Sequence, residues 1–178
     1  RNRLEIQYGT SFGYPCSAMG AHVSACPNEI TGRTVPLGAR GTVAMGGGAF
    51  GYELDLMELN ERACELIKSQ VKTYRTIEHL VREGLFYRLT DPKDATVAAW
   101  EFVSEDGSEA LVCAVVTRVD GYGLANYVVP RGLTPGARYR MVSNGDVYAA
   151  DALMDMGLPV SVPATPYESF MYRFERVD

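Results

Sequence analysis

Between Leu59 and Val81, apolar residues recur in steps of three and four: Leu59, Ala63, Leu66, Ile67, Val71, Tyr74, Ile77, Leu80 and Val81. That period places them on one face of a helix. Asn60 suits the N-cap, Glu61 sits in the first turn, and Gly84 follows the last periodic residue as a stop. Glu78 and Arg82 are spaced for an i,i+4 pair. At 1.5 Å per residue the helix is a rod of roughly 35 Å.

Ahead of this helix the period is two. Over residues 18–25, Met19, Ala21, Val23 and Ala25 alternate with Ala18, Gly20, His22 and Ser24, which predicts a short, mostly buried strand. It runs into a Pro27-Asn28 break and a Gly/Pro-punctuated stretch read as loop over 27–42. A short apolar piece, Val43-Ala44-Met45, then meets three glycines, and Phe50 to Leu54 reads as strand.

Beyond Gly84, seven segments rich in β-branched and aromatic residues are predicted as strands: 85–89, 96–103, 109–119, 124–129, 137–142, 158–162 and 169–177. Turn clusters separate them at Glu105-Asp106-Gly107, Asp120-Gly121, Pro135-Gly136 and Asn144-Gly145. In the last strand Phe170, Tyr172 and Phe174 share a face, and Asp151–Met156 reads as one helical turn. Short strands at this spacing suggest an antiparallel sandwich, with a boundary near residue 85.

The 178 residues carry 17 Lys+Arg against 22 Asp+Glu, a formal charge of −5, and a pI near 5.1. An acidic chain without Lys/Arg runs argues against nucleic acid as a partner. No apolar stretch is long enough to span a membrane. Cys16, Cys26, Cys64 and Cys113 form no CxxC pair. With just His22 and His79 besides, no metal site is expected, and unpaired thiols suit a reducing compartment. The chain opens on Arg1-Asn2-Arg3-Leu4 without an initiator Met or a signal segment, which reads as a fragment of something longer.

Gly9-Thr10-Ser11-Phe12-Gly13 matches the G-x-S-x-G nucleophile elbow, but Tyr14-Pro15 follows where a helix would have to start. Gly46 to Gly51 matches G-x-G-x-x-G, yet Tyr52-Glu53-Leu54 continues as strand where a phosphate site needs a helix N-terminus. The carboxylates Glu53 with Asp55, Asp151 with Asp155, and Glu105-Asp106 read as caps, turns or solvated faces, so no acid/base pair is expected within the chain. His22 and Ser24 stand out differently. If their strand belongs to a (β/α)8 barrel, they lie toward its C-terminal end, where such barrels build active sites; the alternative is a hydrogen-bonded supporting histidine. Trp100, Tyr122, Tyr127, Tyr139, Tyr148 and Tyr172 could stack on sugars but fit core or rim better.

Taken together, Arg3-Leu4, Ile6-Gln7-Tyr8-Gly9-Thr10-Ser11, Tyr14-Pro15 and Ala18 to Ser24 resemble glycoside hydrolase family 36, the family of bacterial-type α-galactosidases. The likeness continues through Pro27-Asn28, Thr31-Gly32-Arg33, Arg40-Gly41, Val43-Ala44-Met45 and Gly51 to Leu56. It resumes at Phe86 to Leu89, Trp100, Phe102-Val103-Ser104, Gly132-Leu133 and Gly145 to Leu158. Cys16 departs from the family, where a proline often follows Tyr-Pro.

The resemblance implies an α+β fragment: the last strand (18–25) and closing helix (60–83) of a catalytic (β/α)8 barrel in residues 1–84, then an antiparallel β-sandwich in 85–178. The parent implied is a cytoplasmic, retaining α-galactosidase acting on melibiose- or raffinose-type sugars, tetrameric, with no metal or nucleotide cofactor. Its two catalytic aspartates would lie upstream of residue 1. This chain would then hold no catalytic residue, His22 and Ser24 would be substrate-proximal, and the fragment would pair with the upstream barrel or another copy of itself. An α-N-acetylgalactosaminidase or galactosyl-transferring relative stands as an alternative. So does a carbohydrate-binding or purely structural role for 85–178.

Overall fold

The computed structural model describes residues 2–119, 126–160 and 165–177. The Asp120-Gly121 turn, Tyr122, and the outer ends of the strands expected over 124–129 and 158–162 lie outside the described residues.

The first part contains more regular structure than the residue pattern predicts. Helix α1 (Asn2–Thr10) and a 3-10 turn (Cys16–Ala18) lead into strand β1 (Gly20–Ser24). Helix α2 (Leu37–Met45) then occupies much of the stretch expected as loop and apolar piece over 27–45. It connects to strand β2 (Ala49–Glu53), which pairs parallel with β1, Gly20 opposite Ala49 and Ser24 opposite Glu53. A 3-10 turn (Leu56–Glu58) precedes helix α3 (Glu61–Glu83). The strand expected over 50–54 is present, and the stretch expected as loop is corrected to a helix, which makes two consecutive strand–helix units, β1–α2 and β2–α3.

The correction has a physical cause. Gly38 and Gly41 lower the intrinsic helix propensity of α2. Packing makes the helix instead: a Cβ on Gly41 would stand 2.0 Å from Gln70 Nε2 of α3, so the glycine is what lets the two helices approach.

Helix α3 follows its pattern closely. Asn60 Oδ1 accepts from the backbone N–H of Ala63, and Arg82 donates to Glu78 at 3.3 Å. Ile77, Leu80 and Val81 are buried. Gly84 ends the helix in extended backbone (φ −69°), so its role is space: a Cβ there would lie 2.5 Å from Leu80 O.

The second part is a six-stranded antiparallel sheet in the order β3–β4–β5–β10–β7–β8. Its strands are β3 (Leu85–Arg88), β4 (Val97–Val103), β5 (Glu109–Val116), β7 (Arg138–Met141), β8 (Val147–Ala149) and β10 (Ser169–Arg176). Strands β6 (Asn126–Val128) and β9 (Leu158–Val160) form a separate antiparallel pair, and helix α4 spans Ala150–Met156. The whole is an α+β fold whose larger sheet is antiparallel. Strand β8 answers to no predicted element: it is three residues long, at the sheet edge, with Val147 exposed.

The two faces of this sheet belong to two different cores. Ala98, Trp100 and Phe102 of β4, with Leu111, Cys113 and Val115 of β5, pack against Leu4, Met45, Ile77, Leu80 and Val81 of the helices. The alternate residues Val97, Ala99, Val103, Val112 and Ala114 join Val128, Leu133, Leu153 and Phe174 on the far side. Phe170 and Tyr172 lean on that second core, as their alternation predicts. Tyr139 closes it from beneath, its hydroxyl donating to Gly107 O at 2.6 Å.

Trp100 ties the two parts together. Its Nε1 donates to Gly46 O at 2.7 Å, and a Cβ on Gly46 would collide with Trp100 and with Cys113 Sγ at 2.9 Å. The glycine run 46–48 is thus a close-packing seam after α2, not a phosphate loop.

Candidate functional site

The alternation of β1 sorts its side chains as read from the sequence. Ala21 and Val23 are buried against Ala44 of α2, with Phe50 and Tyr52 of β2 alongside, while Gly20, His22 and Ser24 are exposed on the opposite face. The parallel register adds Ala49, Gly51 and Glu53 to that open face. His22 lies low over it: a Cβ on Gly51 would stand 3.1 Å from His22 Cδ2, and one on Gly20 3.6 Å from Cε1. Ser24 and Glu53 are opposed at the C-terminal ends of the two strands.

A cavity of about 290 Å3 opens beside this end of β1, with Arg3, His22, Ser24, Asn28, Arg33 and Arg40 in its wall. Two of the arginines are spoken for. Arg3 donates to Gly20 O at 2.9 Å, and Arg40 donates to Ser24 O at 2.5 Å and Val35 O at 3.1 Å. Tyr167, held at φ 68°, reaches the same cavity from the β part.

The remaining motif residues sit elsewhere. Ser11 follows a helix rather than a strand; its hydroxyl donates to Tyr8 O and accepts from Arg88 Nε at 2.7 Å, and Arg88 also bonds Ser11 O and covers the Phe12 ring at 3.9 Å. It is a clamp between α1 and β3. Asp55 lies beyond β2, so it does not share a strand face with Glu53; its side chain accepts from Met57 N–H and caps the following turn. Asp151 accepts from Gly136 N–H. Asp106 sits in the β4–β5 turn, where the Ser108 hydroxyl, the Ser108 N–H and the Ser104 hydroxyl pull its pKa down to about 2. Among the described residues no group of three or more His, Cys, Asp or Glu comes together, and no helix is long and apolar enough to cross a membrane.

One buried acid escaped the sequence reading. Glu101, on β4 between Trp100 and Phe102, is fully buried; its Oε2 accepts from the N–H groups of Arg131 and Gly132, and its Oε1 has no hydrogen-bond partner. Burial raises its pKa against the opposing pull of those two donors. An acidic residue in an otherwise apolar strand was the signal.

Two family models divide the chain between them. The melibiase model matches residues 1–84, and the glycosyl hydrolase family 36 C-terminal domain model matches residues 97–174. The chain belongs to glycoside hydrolase family 36.

Among family 36 proteins, the bifunctional alpha-galactosidase/sucrose kinase AgaSK of Mediterraneibacter gnavus is 44% identical over 97% of this chain and 18% of its own length. The solved galactosidase domain of AgaSK superposes with a TM-score of 0.95 over 99% of this chain and 24% of that one. Alpha-galactosidase AgaA of Geobacillus stearothermophilus is 44% identical over 99% of this chain and 24% of its length. A variant of AgaA solved in complex with raffinose has a TM-score of 0.93 at 43% identity, over 98% of this chain and 24% of that one. The chain thus spans no more than about a quarter of the relatives it matches.

Proposed function

We propose that this chain supplies the closing part of the catalytic (β/α)8 barrel, residues 1–84, and the antiparallel β domain, residues 85–178, of a retaining α-galactosidase acting on melibiose- or raffinose-type sugars. The observation that carries this reading is the parallel β1–α2–β2 unit with one face packed on its helix and the other open. A two-stranded parallel sheet does not stand alone; it needs further strands on its free edge. Names of relatives at 44% identity, and the raffinose complex of one of them, support the activity and the sugar class.

In this reading β2 and α3 are the last unit of the barrel, and the open face looks onto its axis. The nucleophile and the acid/base, both aspartates, lie on polypeptide outside this chain, which supplies no catalytic residue and calls for no cofactor. His22 and Ser24 stand near the bound sugar. The upstream barrel, or another copy of the chain, completes the fold, and the whole enzyme is a cytoplasmic homotetramer.

The test is a hybrid in which residues 1–178 replace the matching quarter of the Geobacillus enzyme, assayed on a nitrophenyl α-galactoside beside the isolated chain. Activity in the hybrid and none in the chain alone is expected. Activity in the chain alone would mean that a carboxylate pair is present here after all.

A further inference from the structure

Thr165 to Glu168 form a tight turn: Glu168 N–H donates to Thr165 O at 2.9 Å, with Pro166 at the second position and Tyr167 at the third. Tyr167 stands at φ 68°, the one non-glycine residue with positive φ among the described residues. Proline second and a left-handed residue third is the pattern of a type II turn, whose third position favours glycine. A bulky aromatic side chain there is strained. The strain is held from outside the turn. Tyr167 N–H donates to Val116 O and Val116 N–H donates to Glu168 O, both at 2.8 Å, which fastens the turn to the end of β5. Strained backbone persists where its surroundings over-determine it, and it gathers at ligand clamps and active sites.

The strained residue borders the cavity beside β1. Tyr167, with Val115 and Thr117 at the end of β5, forms the wall contributed by the β part, while His22 and Ser24 of β1 lie in the wall contributed by the first part. Val43 and Ala44 of α2 line it between them. The cavity therefore runs past α2, from the open face of β1 to the large sheet, and its volume of about 290 Å3 is at the lower end for ligand pockets. Tyrosine brings a flat apolar ring and a hydroxyl that both donates and accepts. That combination suits a pyranose, which is apolar on its C–H face and ringed by hydroxyls. An enzyme that removes a terminal sugar holds the reacting unit at the barrel axis, so the rest of the substrate has to lead away from it.

We propose that Tyr167 is a specificity-determining residue: through it the β part reaches into the substrate site, and its ring packs against a sugar unit on the leaving-group side of the scissile bond. This inference rests on the α-galactosidase reading above.

Tyr167→Gly gives the turn the residue it favours, so the variant should fold; Tyr167→Asn, which also tolerates positive φ, carries the test if it does not. Both are made in the active hybrid and assayed on raffinose and on α-galactosyl fluoride, whose leaving group is a single atom. The ratio of kcat/KM on raffinose to kcat/KM on the fluoride should fall about 10-fold, the scale of one lost aromatic contact. Tyr167→Phe keeps the ring, and its ratio should fall less. An unchanged ratio in the Gly and Asn variants overturns the inference, whatever happens to overall activity, because it means that the turn serves folding alone. A hybrid with no activity before any substitution removes the α-galactosidase reading itself, and this inference with it.

Discussion

Gln70 of α3 accepts a hydrogen bond from the Tyr52 hydroxyl of β2 at 2.7 Å while its amide donates to Leu37 O of α2 at 3.1 Å. One buried polar side chain therefore satisfies groups on both strand–helix units, and burial lifts the Tyr52 pKa to about 12. Gly41→Ala would drive a methyl into this amide. It should cost about 2–4 kcal/mol by overpacking and by breaking the network, and Tyr52→Phe about 1 kcal/mol, both read by denaturant titration.

Trp100 is the single tryptophan of the chain, and its indole N–H is bonded to Gly46 O at the seam between the two parts. Trp100→Phe keeps most of the apolar contact but leaves that buried carbonyl unpaired. A loss of about 1–3 kcal/mol is expected. Circular dichroism is the right readout, since the substitution removes the fluorophore.

Two carboxyls pull the acid stability profile in opposite directions. Glu101 has a folded pKa raised above its ordinary 4.5, so the folded state holds its proton longer and stability falls as pH rises from about 4.5 through the higher folded value. Asp106 has a folded pKa lowered from 3.8 to about 2, so its stabilisation is present above 3.8 and is lost as pH falls through about 2. Melting curves against pH should therefore lose the first slope in Glu101→Gln and the second in Asp106→Asn. An unchanged profile in either variant contradicts the assignment for that residue.

The four thiols should divide by reactivity. Burial pushes Cys16 up to about 11, against a smaller opposing effect of Arg88, and raises Cys113 as well, with Cys16 adding to it. Cys26 and Cys64 are half-buried. A chromogenic disulfide reagent should titrate two thiols in the folded chain and four after denaturation. Rapid reaction of Cys16 or Cys113 under native conditions would contradict the packing of Met19, Trp100 and Cys113 around the seam.

Much of this was legible in the chain, for reasons that differ from element to element. Helix α3 announces itself because eight apolar positions from Ala63 to Val81 keep one period, with a cap at Asn60. Strand β1 could be sorted into a buried and an open face because alternation fixes both at once, and that put His22 and Ser24 together. Helix α1 buries just Leu4 and leaves Ile6 exposed, so no stripe marks it. In α2 the glycine that argues against a helix is the one its packing requires. The pairing of Ser24 with Glu53 is not legible, because the two lie 29 positions apart and a parallel register leaves no trace in local sequence.

The two-sided burial of β4 and β5 bears on how the polypeptide can be cut. The sequence boundary near residue 85 falls at the end of α3, yet Ala98, Trp100, Phe102, Leu111, Cys113 and Val115 are covered from the other side of that boundary. A protease that nicks the chain between α3 and β3 would sever a covalent link without freeing either piece. Expressed apart from residues 2–84, the β portion would meet solvent with one wall of its sheet stripped, and would be expected to self-associate rather than circulate as a module.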